Sequence, residues 1–136
     1  MAMNQSIRIL VVDDDHDFNE TVTDFLQGNG FEVTIAEVGV AGLRAVMATD
    51  FDVLLVDMVM PNLPGDGFYH AVQRIRPGLC SKIIFVTGHM RNPNVSGFLE
   101  TVHLPILTKP FKFDALLEII RTTTGKAGDL ASSATA

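Results

Sequence analysis

Apolar positions along this chain keep two rhythms. Short, largely apolar runs occur at Ile7–Val12, Val53–Val56, Ile83–Val86 and Leu104–Thr108, and Phe31–Ala36 alternates apolar with polar residues as a strand does. Runs this short and this rich in β-branched residues read as strands, and Val53–Val56 as one buried on both faces. Between the runs, apolar residues recur every third or fourth position, the spacing of a helix with one buried face. Phe18, Val22, Phe25 and Leu26 mark a first helix, with Asp17 as its cap, Glu20 completing a capping box and Gly28-Asn29-Gly30 stopping it. Val40, Leu43, Val46 and Met47 mark a second. Phe68, Ala71, Val72 and Ile75 mark a third, broken by Pro77-Gly78. A shorter fourth follows at Val95, Phe98, Leu99 and Val102, and a last at Phe113, Leu116, Leu117 and Ile120. Pro105 suits its strand to a sheet edge. From Gly125 the chain is small and polar without periodicity, so 125–136 is predicted to be a flexible tail. Strands alternating with helices through right-handed crossovers give a parallel sheet covered on both faces, and the helical stripes are its core.

Composition narrows this picture. A length of 136 residues allows one domain of ordinary size, and 47% hydrophobic with 19% charged residues is the balance of a soluble globular protein. The net charge of −6 and the lack of any basic run exclude broad electrostatic attraction to nucleic acid. Cys80 is the only cysteine, which excludes an internal disulfide and a thiolate metal cluster; it reads as a small apolar residue beside a strand. Met1–Ser6 lacks the apolar core of a signal peptide, and no run reaches the length of a membrane span, so the expected compartment is the cytoplasm.

Polar residues sit where the strands stop. The first strand ends on Asp13-Asp14-Asp15, the third on Asp57, the fourth on Thr87 and the fifth on Lys109. A single strand-end Asp can be a plain loop cap, an Asp triplet a solvated helix start, and a Lys-Pro nothing in particular. In a parallel sheet, however, all these ends face one crevice. Three carboxylates gathered there repel unless a cation joins them, and oxygen donors with positions left for water and phosphate suit Mg²⁺. With a hydroxyl and an ammonium beside them, the set can hold a transferring phosphoryl group, whose chemistry needs mainly positioning and charge neutralisation.

Four stretches carry a resemblance: Ile9-Leu10-Val11-Val12-Asp13-Asp14-Asp15, Val53-Leu54-Leu55-Val56-Asp57-Met58-Val59-Met60-Pro61, Ile84-Phe85-Val86-Thr87-Gly88 and Leu107-Thr108-Lys109-Pro110-Phe111. In order and over about residues 7–123, they resemble the receiver domain of two-component response regulators. The resemblance implies a flavodoxin-like doubly wound α/β fold with five parallel strands ordered 2-1-3-4-5 and helices on both faces. It implies a receiver domain over 1–124. Asp57 is then the phosphoacceptor, Asp14 and Asp57 bind Mg²⁺ directly, Asp13 does so largely through water, and the Val59 carbonyl is a further ligand. Thr87 becomes the switch hydroxyl, and Lys109 pairs with the phosphoryl group, set in place by a cis bond to Pro110.

Four positions depart from the family pattern. The Met-Pro-x-x-Asp-Gly loop reads as a longer Met60–Gly67; Val59 brings no side-chain donor; His89 reads as a surface histidine; Ile106 stands where the family usually has Tyr or Phe. Phe98–Thr101 running into Pro105 is also loosely similar to receivers of hybrid sensor histidine kinases. The expected function is a phosphorelay switch, not an enzyme with a separate substrate. Its donor is a histidine kinase or histidine phosphotransfer protein, and its output a downstream partner or fused domain, with neither nucleic acid nor membrane bound directly. Two alternatives stand beside it. One is a haloacid-dehalogenase-like phosphatase with Asp13 of Asp13-x-Asp15 as nucleophile, aided by Thr87 and Lys109. The other is a receiver-like module that binds partners without phosphorylation.

Overall fold

A computed structural model describes residues 6–124; the tail expected at 125–136 lies outside them. Five strands, β1 (Arg8–Val12), β2 (Glu32–Ala36), β3 (Val53–Asp57), β4 (Ile83–Thr87) and β5 (Ile106–Thr108), alternate with helices α1 (His16–Gly28), α2 (Gly39–Ala48), α3 (Gly65–Ile75), α4 (Pro93–Val102) and α5 (Phe113–Thr124). All neighbouring strands are parallel, as the alternation of strands and helices predicts, and their order is β2-β1-β3-β4-β5, as the family resemblance implies. Every residue of β3 and β4 is buried, which explains their unbroken apolar runs. β5 is a three-residue edge strand that begins after Pro105, whose carbonyl still accepts the Phe85 N–H at 3.0 Å.

Two cores follow from the period-two alternation of the strands. Leu10, Val12, Leu54, Val56, Ile83 and Phe85 pack under α2, α3 and α4. Ile9, Val11, Val53, Leu55, Ile84 and Val86 pack under α1 and α5. Helix α2 corrects the predicted stripe. Its buried residues are Gly39, Gly42 and Val46, while Val40 and Met47 are 50% and 64% exposed. The glycines let the helix backbone lie close to its neighbours. A Cβ on Gly42 would stand 2.9 Å from Phe68 Cε1 and Val12 Cγ2, and one on Gly39 would stand 2.8 Å from Leu63 Cβ.

The element ends bring three further corrections. The N-cap of α1 is Asp15, whose Oδ1 accepts the Phe18 N–H at 3.1 Å, and not Asp17, which lies inside the first turn. The loop after Met60-Pro61 is not lengthened: α3 opens at Gly65, with Pro64 at the N-cap where the family pattern has Asp. Gly65 is tightly seated, since a Cβ there would meet the Asp57 carbonyl oxygen at 2.7 Å. Residues Pro77–Lys82 form a 3₁₀ helix that buries Leu79 and leaves Cys80 half-buried against the α2–α4 core. Just before it, Arg76 donates from Nη1 to the carbonyls of Val46 (2.9 Å) and Thr49 (3.3 Å) and from Nη2 to Asp50 (2.6 Å). It closes the open carbonyl end of α2 and holds the Asp50 carboxyl below its ordinary range.

These contacts separate two glycine substitutions. Gly42→Ala is expected to destabilise the fold by about 1–3 kcal/mol through overpacking. Gly28→Ala, at the exposed end of α1 with open space around it, is expected to gain up to about 1 kcal/mol of helix propensity. Urea titrations of both variants check the contrast, and equal responses would contradict the packing described for α2.

Candidate phosphoacceptor site

Strand register assembles the site. Val12 pairs with Val56 and Asp57 with Val86, so Asp13, Asp57 and Thr87 reach one edge of the sheet together. Thr87 pairs with Thr108, and the Lys109 N–H donates to the Thr87 carbonyl at 2.8 Å, which brings Lys109 to the same edge. The Lys109-Pro110 bond is cis. Among the described residues, the buried polar side chains are Asp13, Asn19, Asp57 and Thr87, and all of them lie at or beside this edge. The other fully buried residues are apolar, so these four stand out against the interior.

Asp13 is held on every side. Its Oδ2 accepts from Lys109 Nζ at 2.8 Å, its Oδ1 from the Asp15 N–H at 2.9 Å, and its carbonyl from Asn19 Nδ2 at 2.7 Å. Asp14 is exposed beside it. One carboxylate oxygen each of Asp13, Asp14 and Asp57 lies within 4.8 Å of the others. Three carboxylates against one nearby ammonium leave excess negative charge, and an all-oxygen donor set with one open, exposed member fits a small hard dication such as Mg²⁺.

Asp57 carries the electrostatic strain. The residue is 7% exposed, and its pKa is pushed up to about 7, first by burial and then by the Asp13 charge, with a smaller push from Asp14. Lys109 and a long contact from the Val59 N–H (3.5 Å to Oδ1) oppose the rise. Mutual repulsion among the carboxylates, expected from sequence, is therefore present at Asp57 but is second to desolvation. Thr87 is fully buried, and its Oγ1 accepts the His89 N–H at 2.9 Å. Here His89 acts through its backbone. Val59 is 41% exposed and near Asp57 only through its main chain. Ile106 is half-buried, pairs with Phe85 and packs on the α2–α4 core.

Two site neighbours escape the sequence reading. Asn19 is buried at 3% exposure. The signal for it is present, because Asn19, Val22 and Leu26 form the buried face of α1. Phe18, read only as core, places its ring 4.1 Å from Lys109 Nζ.

Residues 9–121 match the family described as the response regulator receiver domain. The chain belongs to that family. Among curated proteins it is 36% identical over 112 residues to a response regulator receiver protein of Anaeromyxobacter, covering 82% of this chain and 46% of that one. It is 30% identical to the transcriptional regulatory protein GlrR of Escherichia coli, covering 82% of this chain and 25% of that one. The chain thus spans about half or less of the length of these relatives. Among solved structures, a CheY-like receiver of Methanospirillum hungatei superposes with a TM-score of 0.81 at 29% identity, covering 92% of this chain and 98% of that one. The Thermotoga maritima response regulator TrrA, solved in complex with Mg²⁺-BeF, superposes at 0.74 with 27% identity, covering 86% and 98%. As a receiver domain, the chain is a phosphoacceptor switch of two-component signalling. The phosphatase reading falls, and its Asp13-x-Asp15 pair is split in the structure: Asp15 turns away as the cap of α1 while Asp13 pairs with Lys109. No described helix is long and apolar enough to cross a membrane.

The raised pKa sets a pH dependence. Folded Asp57 keeps its proton up to about pH 7, whereas the unfolded chain loses it near 3.8. Between those values the unfolded state binds fewer protons, so stability falls as pH rises. Asp57→Asn does not titrate. In Mg²⁺-free buffer it is expected to gain on the parent from about pH 4 to above 7, by at most about 4 kcal/mol at roughly 1.4 kcal/mol per pKa unit. Urea midpoints across that range check it, and a pH-independent difference would contradict the raised pKa.

Proposed function

We propose that Asp57 is the residue phosphorylated, with residues 1–124 as the receiver unit. The observation that carries this is the buried Asp57 carboxyl at the end of β3, grouped with Asp13 and Asp14 and facing an ammonium already anchored at Asp13. An Asp57 carboxylate oxygen attacks the phosphorus of a phosphohistidine on a histidine kinase or phosphotransfer protein. The O–P bond forms as the P–N bond breaks, and the imidazole leaves with the electron pair. Asp14 and Asp57 would hold Mg²⁺ directly, Asp13 largely through water, and the Val59 carbonyl would complete the protein's share. When bound, the ion neutralises the carboxylates and the phosphoryl oxygens. The TrrA structure with Mg²⁺-BeF supports this assignment by likeness. Lys109 shifts from Asp13 to a phosphoryl oxygen, an exchange of one anionic partner for another.

Thr87 transmits the change. To donate to the phosphoryl group its hydroxyl must move toward Asp57 and give up the His89 N–H. The β4–α4 loop loses that tie and rearranges, together with α4. Ile106, aliphatic and β-branched, has no hydroxyl to exchange between interior and water. The response therefore leaves through the Gly88–Asn94 backbone to a downstream protein or a fused output domain.

Treatment with acetyl phosphate and Mg²⁺ followed by mass spectrometry is expected to find the phosphoryl group on Asp57 and none in Asp57→Asn. Incorporation in Asp57→Asn at the parental level would overturn the assignment, and none in either protein would favour an unphosphorylated binding module. Millimolar Mg²⁺ is expected to raise the Tm of the parent and much less that of Asp14→Ala, since a ligand stabilises the state that binds it; equal shifts would remove Asp14 from the ion site. Thr87→Ala is expected to take up phosphate yet lose most of the change in hydrogen exchange over Gly88–Asn94, with Ile106→Ala losing far less. The reverse ranking would place the switch at Ile106.

A further inference from the structure

We propose that Phe18 is a positioning residue of the phosphoacceptor site, confining the Lys109 ammonium against its ring face so that it is poised to pass from Asp13 to the phosphoryl group. The consequence for phosphorylation rests on the reading of Asp57 above; the contact itself does not. Lys109 Nζ lies 4.1 Å from the Phe18 ring centroid and 2.8 Å from Asp13 Oδ2. Its side chain is 22% exposed, so Lys109 is largely enclosed, with one carboxylate and one ring face beside its ammonium. A cation stripped of water is attracted to the negative face of an aromatic ring.

Phe18 is itself fixed. Its N–H caps onto Asp15 at 3.1 Å, and its ring meets Phe111 edge-on with centroids 5.9 Å apart. The next residue, Asn19, is buried and donates to the Asp13 carbonyl at 2.7 Å. One turn of α1 thus grips both members of the ion pair: residue 18 holds the ammonium and residue 19 the main chain of the carboxylate. Burial alone does not call for this ring, because the fully buried face of α1 is Asn19, Val22 and Leu26, with Phe18 at its border.

The choice of a ring has a chemical reason. A second carboxylate at this position would trap Lys109, and an aliphatic side chain would leave its flexible four-carbon stem free to carry the charge into water. A ring attracts without a directed bond, and the attraction persists to about 6 Å from the centroid. The ammonium can therefore exchange Asp13 for a phosphoryl oxygen while the ring still confines it.

The test measures the rate of phosphate uptake at Asp57 from acetyl phosphate with saturating Mg²⁺. Phe18→Leu, which keeps apolar bulk and removes the π face, is expected to slow uptake about two- to five-fold, the range of a cation–π contact between partly exposed groups. Phe18→Trp, with a stronger ring face, is expected to match or exceed the parent. In a Lys109→Ala background the three side chains at position 18 should give equal rates. Independently of phosphorylation, ring current should displace the Lys109 ε-methylene resonances upfield in the parent and not in Phe18→Leu. Equal slowing by Leu and Trp, slowing by Leu that persists without Lys109, or unshifted Lys109 resonances would each overturn the proposal. Failure of the parent to take up phosphate at Asp57 would instead remove the phosphoacceptor reading, and the Lys109 resonances would then decide the position of the ammonium by themselves.

Discussion

Two carboxyl groups, Asp13 and Asp57, are buried side by side where adjacent inner strands stop. Charge in that setting is costly unless it is paired, hydrogen-bonded or neutralised. Asp13 answers the cost with the Lys109 ammonium on one carboxylate oxygen and the Asp15 N–H on the other. Asp57 has little of that help and answers by holding its proton. The pairing of β4 with β5, which delivers Lys109 from 96 residues away in sequence, is thus tied to the electrostatics of β1 and β3.

The sheet also separates chemistry from signal. Asp57 shares strand parity with Val53 and Leu55, whose side chains lie under α1 and α5. Thr87 shares parity with Ile83 and Phe85, which lie under α2, α3 and α4. The acceptor, Lys109 and Phe18 are accordingly gathered toward one layer of helices, and the hydroxyl that reports on them belongs to the other. A displacement of Thr87 is felt first by the loop and helix that follow it.

Most of this architecture was legible because the central strands are buried on both faces and end on polar residues. Val53–Asp57 and Ile83–Thr87 announce their position and their chemistry in the same few letters. The reading failed where burial does not depend on apolar side chains. Helix α2 buries glycines, because a bare backbone fits closest to Phe68 and Val12. Asn19 is buried for the bond it gives to Asp13; it stands on the α1 stripe with Val22 and Leu26, but a pattern read from apolar residues passes over a polar one. The cap of α1 shifted from Asp17 to Asp15 because a hydrogen bond to the N–H three residues on decides a cap, and several acids in a row satisfy the sequence signal equally. Pro64 hid the true length of the β3–α3 loop by replacing the Asp of a familiar pattern with a residue that offers no capping side chain.

Arg76 has a mechanical consequence. One planar guanidinium is bonded at once to two carbonyls at the end of α2 and to the Asp50 carboxylate, and its backbone ends α3. Such a fork is satisfied in a single relative placement of the two helices. The fork therefore ties the end of α2 to the end of α3 as one plate. The seam between the plate and α4 is built differently, with ring edges of Tyr69 and His70 against Phe98. Rings can slide over one another without breaking a directed bond, which makes that seam a bearing and the Arg76 fork its fixed mount.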